Sequence, residues 1–113
     1  MALPKVASGM KPKDMQILVE QARKASELLK ALSHESRLMI LCILSEREMT
    51  VSEIEDIMRL PQATVSQQLA RLRSDKLVTT RRDGRLIFYR IADTEVSSVV
   101  ESLYEVFCNN DDS

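Results

Sequence analysis

Apolar residues recur with helical spacing over most of this chain and with strand spacing in one place. From Asp14, residues Ile17, Leu18, Ala22, Ala25, Leu28, Leu29 and Leu32 form a broad stripe that predicts a first helix. The run Leu38-Met39-Ile40-Leu41-Cys42-Ile43-Leu44 is apolar nearly all round. It predicts a central second helix from Glu35 to Ser45, with Ser33 as its cap. A third helix opens at Thr50, where Glu53 three residues on makes a capping box. It should end near Met58-Arg59-Leu60, because Pro61 disfavours helical geometry at Leu60 and has no N–H to donate. In a fourth helix starting at Gln62, Val65, Leu69 and Leu72 share one face. Leu77 to Arg82 and Arg85 to Ile91 read as antiparallel strands around a two-residue turn, Asp83-Gly84. A last helix, capped by Asp93 or Thr94 and running to about Cys108, carries the stripe Val96, Val99, Val100, Leu103 and Phe107.

The predicted fold is mainly α with a small β-hairpin: a winged helix-turn-helix over residues 13–108. Residues 1–12, with Pro4, Gly9 and Pro12, form a flexible arm, and 109–113 a frayed end. The face of the fourth helix opposite its apolar stripe offers Gln62, Thr64, Ser66, Gln67, Gln68 and Arg71. Short hydroxyls, planar amides and a guanidinium suit the donors and acceptors of a DNA major groove. The plainer alternative is a solvated face, but such faces are rich in Lys and Glu, and neither occurs between Gln62 and Arg73. Arg82 and Arg85 flank the hairpin tip, within reach of a phosphate or the minor groove.

Net charge sharpens this reading. The whole chain is at −1, which looks wrong for a nucleic-acid binder. Yet residues 61–90 hold seven basic side chains against two acids, and residues 91–113 hold six acids and no base. Positive charge therefore concentrates on the reading helix and the wing, where phosphate contacts need it. With 113 residues and 44% hydrophobic content, the chain is an ordered single domain. No apolar run reaches the ~20 residues of a membrane span and no signal peptide is visible, so a cytoplasmic protein without membrane attachment is expected. No nucleophile–base pair, phosphate loop or metal cluster marks an enzyme. The stripe of the first helix is wider than one neighbour requires; a homodimer contact explains it, burial under the rest of the domain being the alternative.

The order helix–helix–helix–helix–hairpin–helix resembles the ArsR/SmtB family of winged-helix repressors, and two motifs carry the resemblance. They are Leu32-Ser33-His34-Glu35-Ser36-Arg37-Leu38-Met39-Ile40-Leu41 and Ala63-Thr64-Val65-Ser66-Gln67-Gln68-Leu69-Ala70-Arg71-Leu72. The resemblance covers roughly residues 14–108. It implies dimerisation through the first and last helices and binding to a palindromic double-stranded operator. Two departures bear on base preference: Gln68 stands where many members have His, and Pro61 where Ser is common. Many relatives sense metals, but Met49-Thr50-Val51-Ser52-Glu53-Ile54 lacks the thiol of the familiar soft-metal site, and the last helix has no His. With two Cys and the single His34, the chain falls short of the usual ligand sets, and no metal or other cofactor is expected.

Cys42 and Cys108 are too far apart in sequence for a CxxC motif. From the residues alone they are either small buried hydrophobes or a sensing pair. Cys42 after Leu41, and Cys108 after Phe107 at the end of the last helix, resemble the cysteine pair of a persulfide-sensing branch of the family. That resemblance implies a dithiol switch induced by low-molecular-weight persulfides, in which the thiols join by a disulfide or polysulfide bridge and the operator is released. Cys108 would take sulfur first and Cys42 resolve it, with Tyr104 either shaping the pocket or simply packing. An ArsR-type repressor with another inducer, a general oxidant or a metal, and structural cysteines is the competing reading. A winged-helix adaptor without DNA would leave the basic segment unexplained.

Overall fold

Helix α1 (Pro12–Leu32) begins at a proline, which suits the first helical position because the N–H it lacks would have no partner there. Asp14 accepts from the Lys11 amide at 3.2 Å, so the helix starts two residues ahead of its periodic stretch. The computed structural model describes residues 9–108, which divide between Lys30 and Ala31 into two compact units. Most of the expected arm and all of the frayed end lie outside the described residues. α1 belongs almost wholly to the first unit, and its Met15, Ile17, Val19 and Leu29 are exposed.

The second unit is built on α2 (Glu35–Leu44), which contacts α4 (Gln62–Ser74), α5 (Thr94–Cys108) and the β3 strand (Leu86–Ile91). Its Ile40 and Leu41 are completely buried, as are Ile54 of α3 (Val51–Met58), Val65, Leu69 and Leu72 of α4, and Val100 of α5. Each such side chain contributes roughly 1.5–3 kcal/mol by leaving water, so these contacts hold the helices together. The apolar run of α2 is central as expected, except that Met39 emerges to solvent. Arg37, though buried, is satisfied: its Nε donates to the Ala31 carbonyl at 3.0 Å, a cation at the C-terminal end of α1. The N-cap of α2 is His34, not Ser33, and its side chain makes no capping bond. The helix starts at Glu35 as expected, and extended backbone at His34 (φ −97°, ψ 120°) makes that residue the cap in place of Ser33.

The sheet corrects the sequence reading in two places. A two-residue strand, β1 (Met49–Thr50), pairs antiparallel with β3, giving three strands in the order β1-β3-β2, where β2 is Val78–Asp83. Two residues are too few to show a period, so only pairing reveals β1. The register also pairs Asp83 with Leu86, which makes Gly84-Arg85 the hairpin turn instead of Asp83-Gly84. The reason is conformational: Gly84 has φ +65° and occupies the first central position, where a type II′ hairpin takes glycine. Arg85 is therefore at the wing's apex. Among the described residues, no helix is long and apolar enough to cross a membrane.

Candidate functional site

The helix-turn-helix is set by local chemistry at three points. Thr50 Oγ1 accepts from the Glu53 amide at 3.2 Å, and the Glu53 carboxylate accepts from the Thr50 amide at 2.9 Å, closing the capping box that starts α3. That backbone hydrogen bond, together with Arg47, holds the Glu53 carboxyl below the usual range. α3 ends at Arg59, whose left-handed backbone (φ 57°) turns the chain sharply. Pro61 then caps α4 with extended geometry, its carbonyl accepting from Thr64 and Val65. Burial of Val65, Leu69 and Leu72 fixes the roll of α4 about its axis and hence which residues point outward.

Gln62, Ser66, Gln67 and Arg71 are exposed on that outer side, while Thr64 and Gln68 are half-buried. Arg71 is held by Asp75 one turn on, Nε to carboxylate at 3.2 Å. Arg82 and Arg85 are exposed at the wing and enter no ion pair among the described residues. Arg81 differs: its guanidinium grips Glu48 and lies 4.5 Å from the centre of the Phe88 ring. Sequence patterning carried no signal for that arrangement, because Glu48, just before β1, and Arg81, in β2, are 33 residues apart in the chain.

A second constellation lies between α2 and α5. Cys42 is half-buried near the end of α2, and Cys108 is exposed on the last residue of α5. They are close enough to interact: burial pushes the Cys42 thiol up, and the charge of Cys108 pushes it further the same way. Beside Cys42 opens a shallow cleft of about 270 Å³, lined also by Ser45, Glu46, Glu101, Tyr104 and Glu105. Tyr104 stands one turn before Cys108 and contributes to this wall, not to the core. Glu101 and Glu105 come from α5 and Glu46 from the turn after α2, a grouping beside a thiol that was invisible in the linear pattern. His34 is exposed at the α2 start. Among the described residues, no three His, Cys, Asp or Glu side chains come together as a metal site.

A helix-turn-helix with a three-stranded wing, a polar outer helix face and a basic hairpin tip define a winged-helix transcription regulator. Comparison with known proteins agrees: residues 34–80 match the family described as bacterial regulatory protein, arsR family. The transcriptional activator HlyU of Vibrio cholerae is 40% identical over 97 residues, covering 86% of this chain and 90% of that one. The biofilm growth-associated repressor of Agrobacterium fabrum is 42% identical over 89 residues, covering 79% and 76%. Among solved structures, reduced HlyU from Vibrio cholerae superposes with a TM-score of 0.77 at 41% identity, covering 82% of this chain and 98% of that one. The transcriptional repressor BigR from Xylella fastidiosa gives 0.75 at 41%, covering 88% and 98%. The chain belongs to the ArsR family of transcription regulators.

Proposed function

We propose that this protein is a dithiol repressor responsive to reactive sulfur. As a reduced homodimer it binds an operator palindrome, and it releases that DNA when Cys42 and Cys108 become bridged. The observation that carries the proposal is that the two thiols stand on α2 and α5, helices that pack against each other, Cys42 half-buried and Cys108 exposed. Gln62, Thr64, Ser66, Gln67, Gln68 and Arg71 read bases from the major groove, while Arg82 and Arg85 contact phosphate or the minor groove. The exposed apolar residues of α1, with Val106 and Phe107 near the end of α5, supply the dimer surface.

The division of labour between the thiols follows from their surroundings. Burial, and after it the Cys108 charge, disfavours the Cys42 thiolate, whereas Cys108 is open to a donor, so Cys108 attacks first. Its thiolate takes the outer sulfur of a persulfide RSSH and expels RS⁻, which leaves Cys108 as a persulfide. Attack by Cys42 on the inner sulfur then closes a disulfide and releases HS⁻. If a second RSSH first lengthens the Cys108 chain, the same closure leaves one inserted sulfur. Two protein thiols and two RSSH then yield the trisulfide, two RSH and one hydrogen sulfide. In each case the protein thiols are oxidised and sulfane sulfur is reduced to sulfide. Bridging pins the end of α5 to the helix packed behind α4, altering the separation of the two reading helices, which must match half-sites about 34 Å apart.

Intact mass of the reduced protein after anaerobic incubation with glutathione persulfide tests this, with oxidised glutathione and peroxide as parallel samples. The expected product has lost two hydrogens and gained either no sulfur or one sulfur atom, in a peptide linking Cys42 to Cys108, and forms with persulfide alone. Free thiols throughout, or the same disulfide from every oxidant, would leave an ArsR-family regulator with another inducer.

A further inference from the structure

The outer face of the sheet carries a bracket between the wing and the helix-turn-helix. Thr50, Phe88 and Arg81 occupy one rung of the three strands, Thr50 opposite Phe88 and Phe88 opposite Arg81. Thr50 is also the N-cap of α3, so this rung joins the start of the helix-turn-helix to the wing. Glu48, two residues before Thr50 and hence on the same face, reaches across the sheet. Both its carboxylate oxygens accept from Arg81 Nε, at 2.9 and 3.0 Å, and one of them also accepts from Nη2. The same guanidinium stacks on Phe88 between them. At the other end, Arg47 donates to the Glu48 carbonyl and to the Glu53 carboxylate of the capping box. A planar fork that binds a carboxylate at two points while lying on a ring is fixed in orientation as a single contact is not.

We infer that Glu48, Arg81 and Phe88 form a brace that sets the wing's angle to the reading helices, making Glu48 a positioning residue for operator binding. The inference rests on the operator-binding reading above. It assigns opposite roles to neighbouring arginines. Arg81 is spent on the brace and contacts no phosphate, whereas Arg82 and Arg85, held out by it, do. An acidic residue beside the wing therefore strengthens binding to a polyanion, against the ordinary expectation for charge near DNA.

The test is a salt titration of affinity for a fluorescent 30-base-pair duplex selected by the wild-type protein from a random library. Glu48→Gln is expected to weaken binding about fivefold to tenfold, roughly the loss of one phosphate contact, although it removes a negative charge. Arg81→Lys should weaken it to a similar degree, because lysine keeps the charge but loses the fork and the stack. The double variant should be no weaker than either single one, since all break one brace. Amide relaxation at Gly84 and Arg85 should show a looser wing tip in Glu48→Gln. Tighter binding by Glu48→Gln, with the salt slope steepened by about 0.9, would make Arg81 a masked phosphate ligand and overturn the brace. Unchanged affinity in Glu48→Gln, or full affinity in Arg81→Lys, would overturn it equally. A wild-type protein that selects no duplex would instead sink the operator-binding reading itself.

Discussion

Cys42, near the end of α2, and Cys108, on the last residue of α5, lie close enough for the charge of one to raise the other's thiol. The two sites are chemically unequal. Burial, the larger cause, and the Cys108 charge both disfavour the Cys42 thiolate. Alkylation by iodoacetamide should therefore label Cys108 first at neutral pH, with the Cys42 rate rising only at a pH above that of an ordinary thiol. Cys108→Ser removes the smaller cause and should shift the Cys42 profile partway down. Peptide mass spectrometry across a pH series checks both, and equal labelling at neutral pH would contradict the assignment.

Single serine variants separate switching from DNA binding. Cys42→Ser and Cys108→Ser should bind operator within about twofold of wild type when reduced, because neither residue lies on the reading face. Both should fail to release it on persulfide treatment. Fluorescence anisotropy before and after treatment gives the answer, and a variant that still releases would place the switch elsewhere.

Charge around the cleft predicts a donor preference. Glu46, Glu101 and Glu105 line it with no base among its lining residues, and Glu105 stands one turn before Cys108, so an anionic donor approaching Cys108, such as glutathione persulfide, is repelled and a cationic one such as cysteamine persulfide attracted. The cationic donor should modify the protein faster at low salt. The difference should shrink as ionic strength approaches 0.1 M or more, where the screening length falls to about 10 Å. Rates that ignore both donor charge and salt would refute this.

Two substitutions probe the frame of the helix-turn-helix. Leu69→Ala removes a completely buried side chain and should cost about 2–5 kcal/mol. Thr50→Ala removes the capping hydroxyl and should cost about 1 kcal/mol. Urea unfolding followed by circular dichroism measures both.

Readout and anchoring should separate in binding data. Gln67→Ala ought to lose about 1–3 kcal/mol of discrimination at one base position with an unchanged salt slope. Arg85→Ala should weaken all sequences alike and flatten the slope by about 0.9. A slope unmoved by Arg85→Ala would remove the wing apex from the phosphate contacts.

Elements whose cause is local were legible in the chain. Thr50 and Glu53 announce the capping box, Pro61 separates α3 from α4, and the stripe of Val65, Leu69 and Leu72 foretells the buried face of α4. Each depends on residues within two turns of one another, where spacing alone dictates geometry. Candidate reading residues followed, because a buried stripe leaves only one outward face.

Only the tertiary structure decided what depends on pairing between distant segments. β1 exists because Met49 and Thr50 meet β3, and the turn sits at Gly84-Arg85 because register puts the glycine where φ must be positive. Arg81 read as one more wing cation until Glu48, 33 residues away in the chain, closed on it. The acidic cleft at Cys42 likewise needs side chains from two helices. Periodicity reports which face of an element is buried. Which neighbours that face meets is settled by packing the whole core at once, and no single stretch of sequence contains that information.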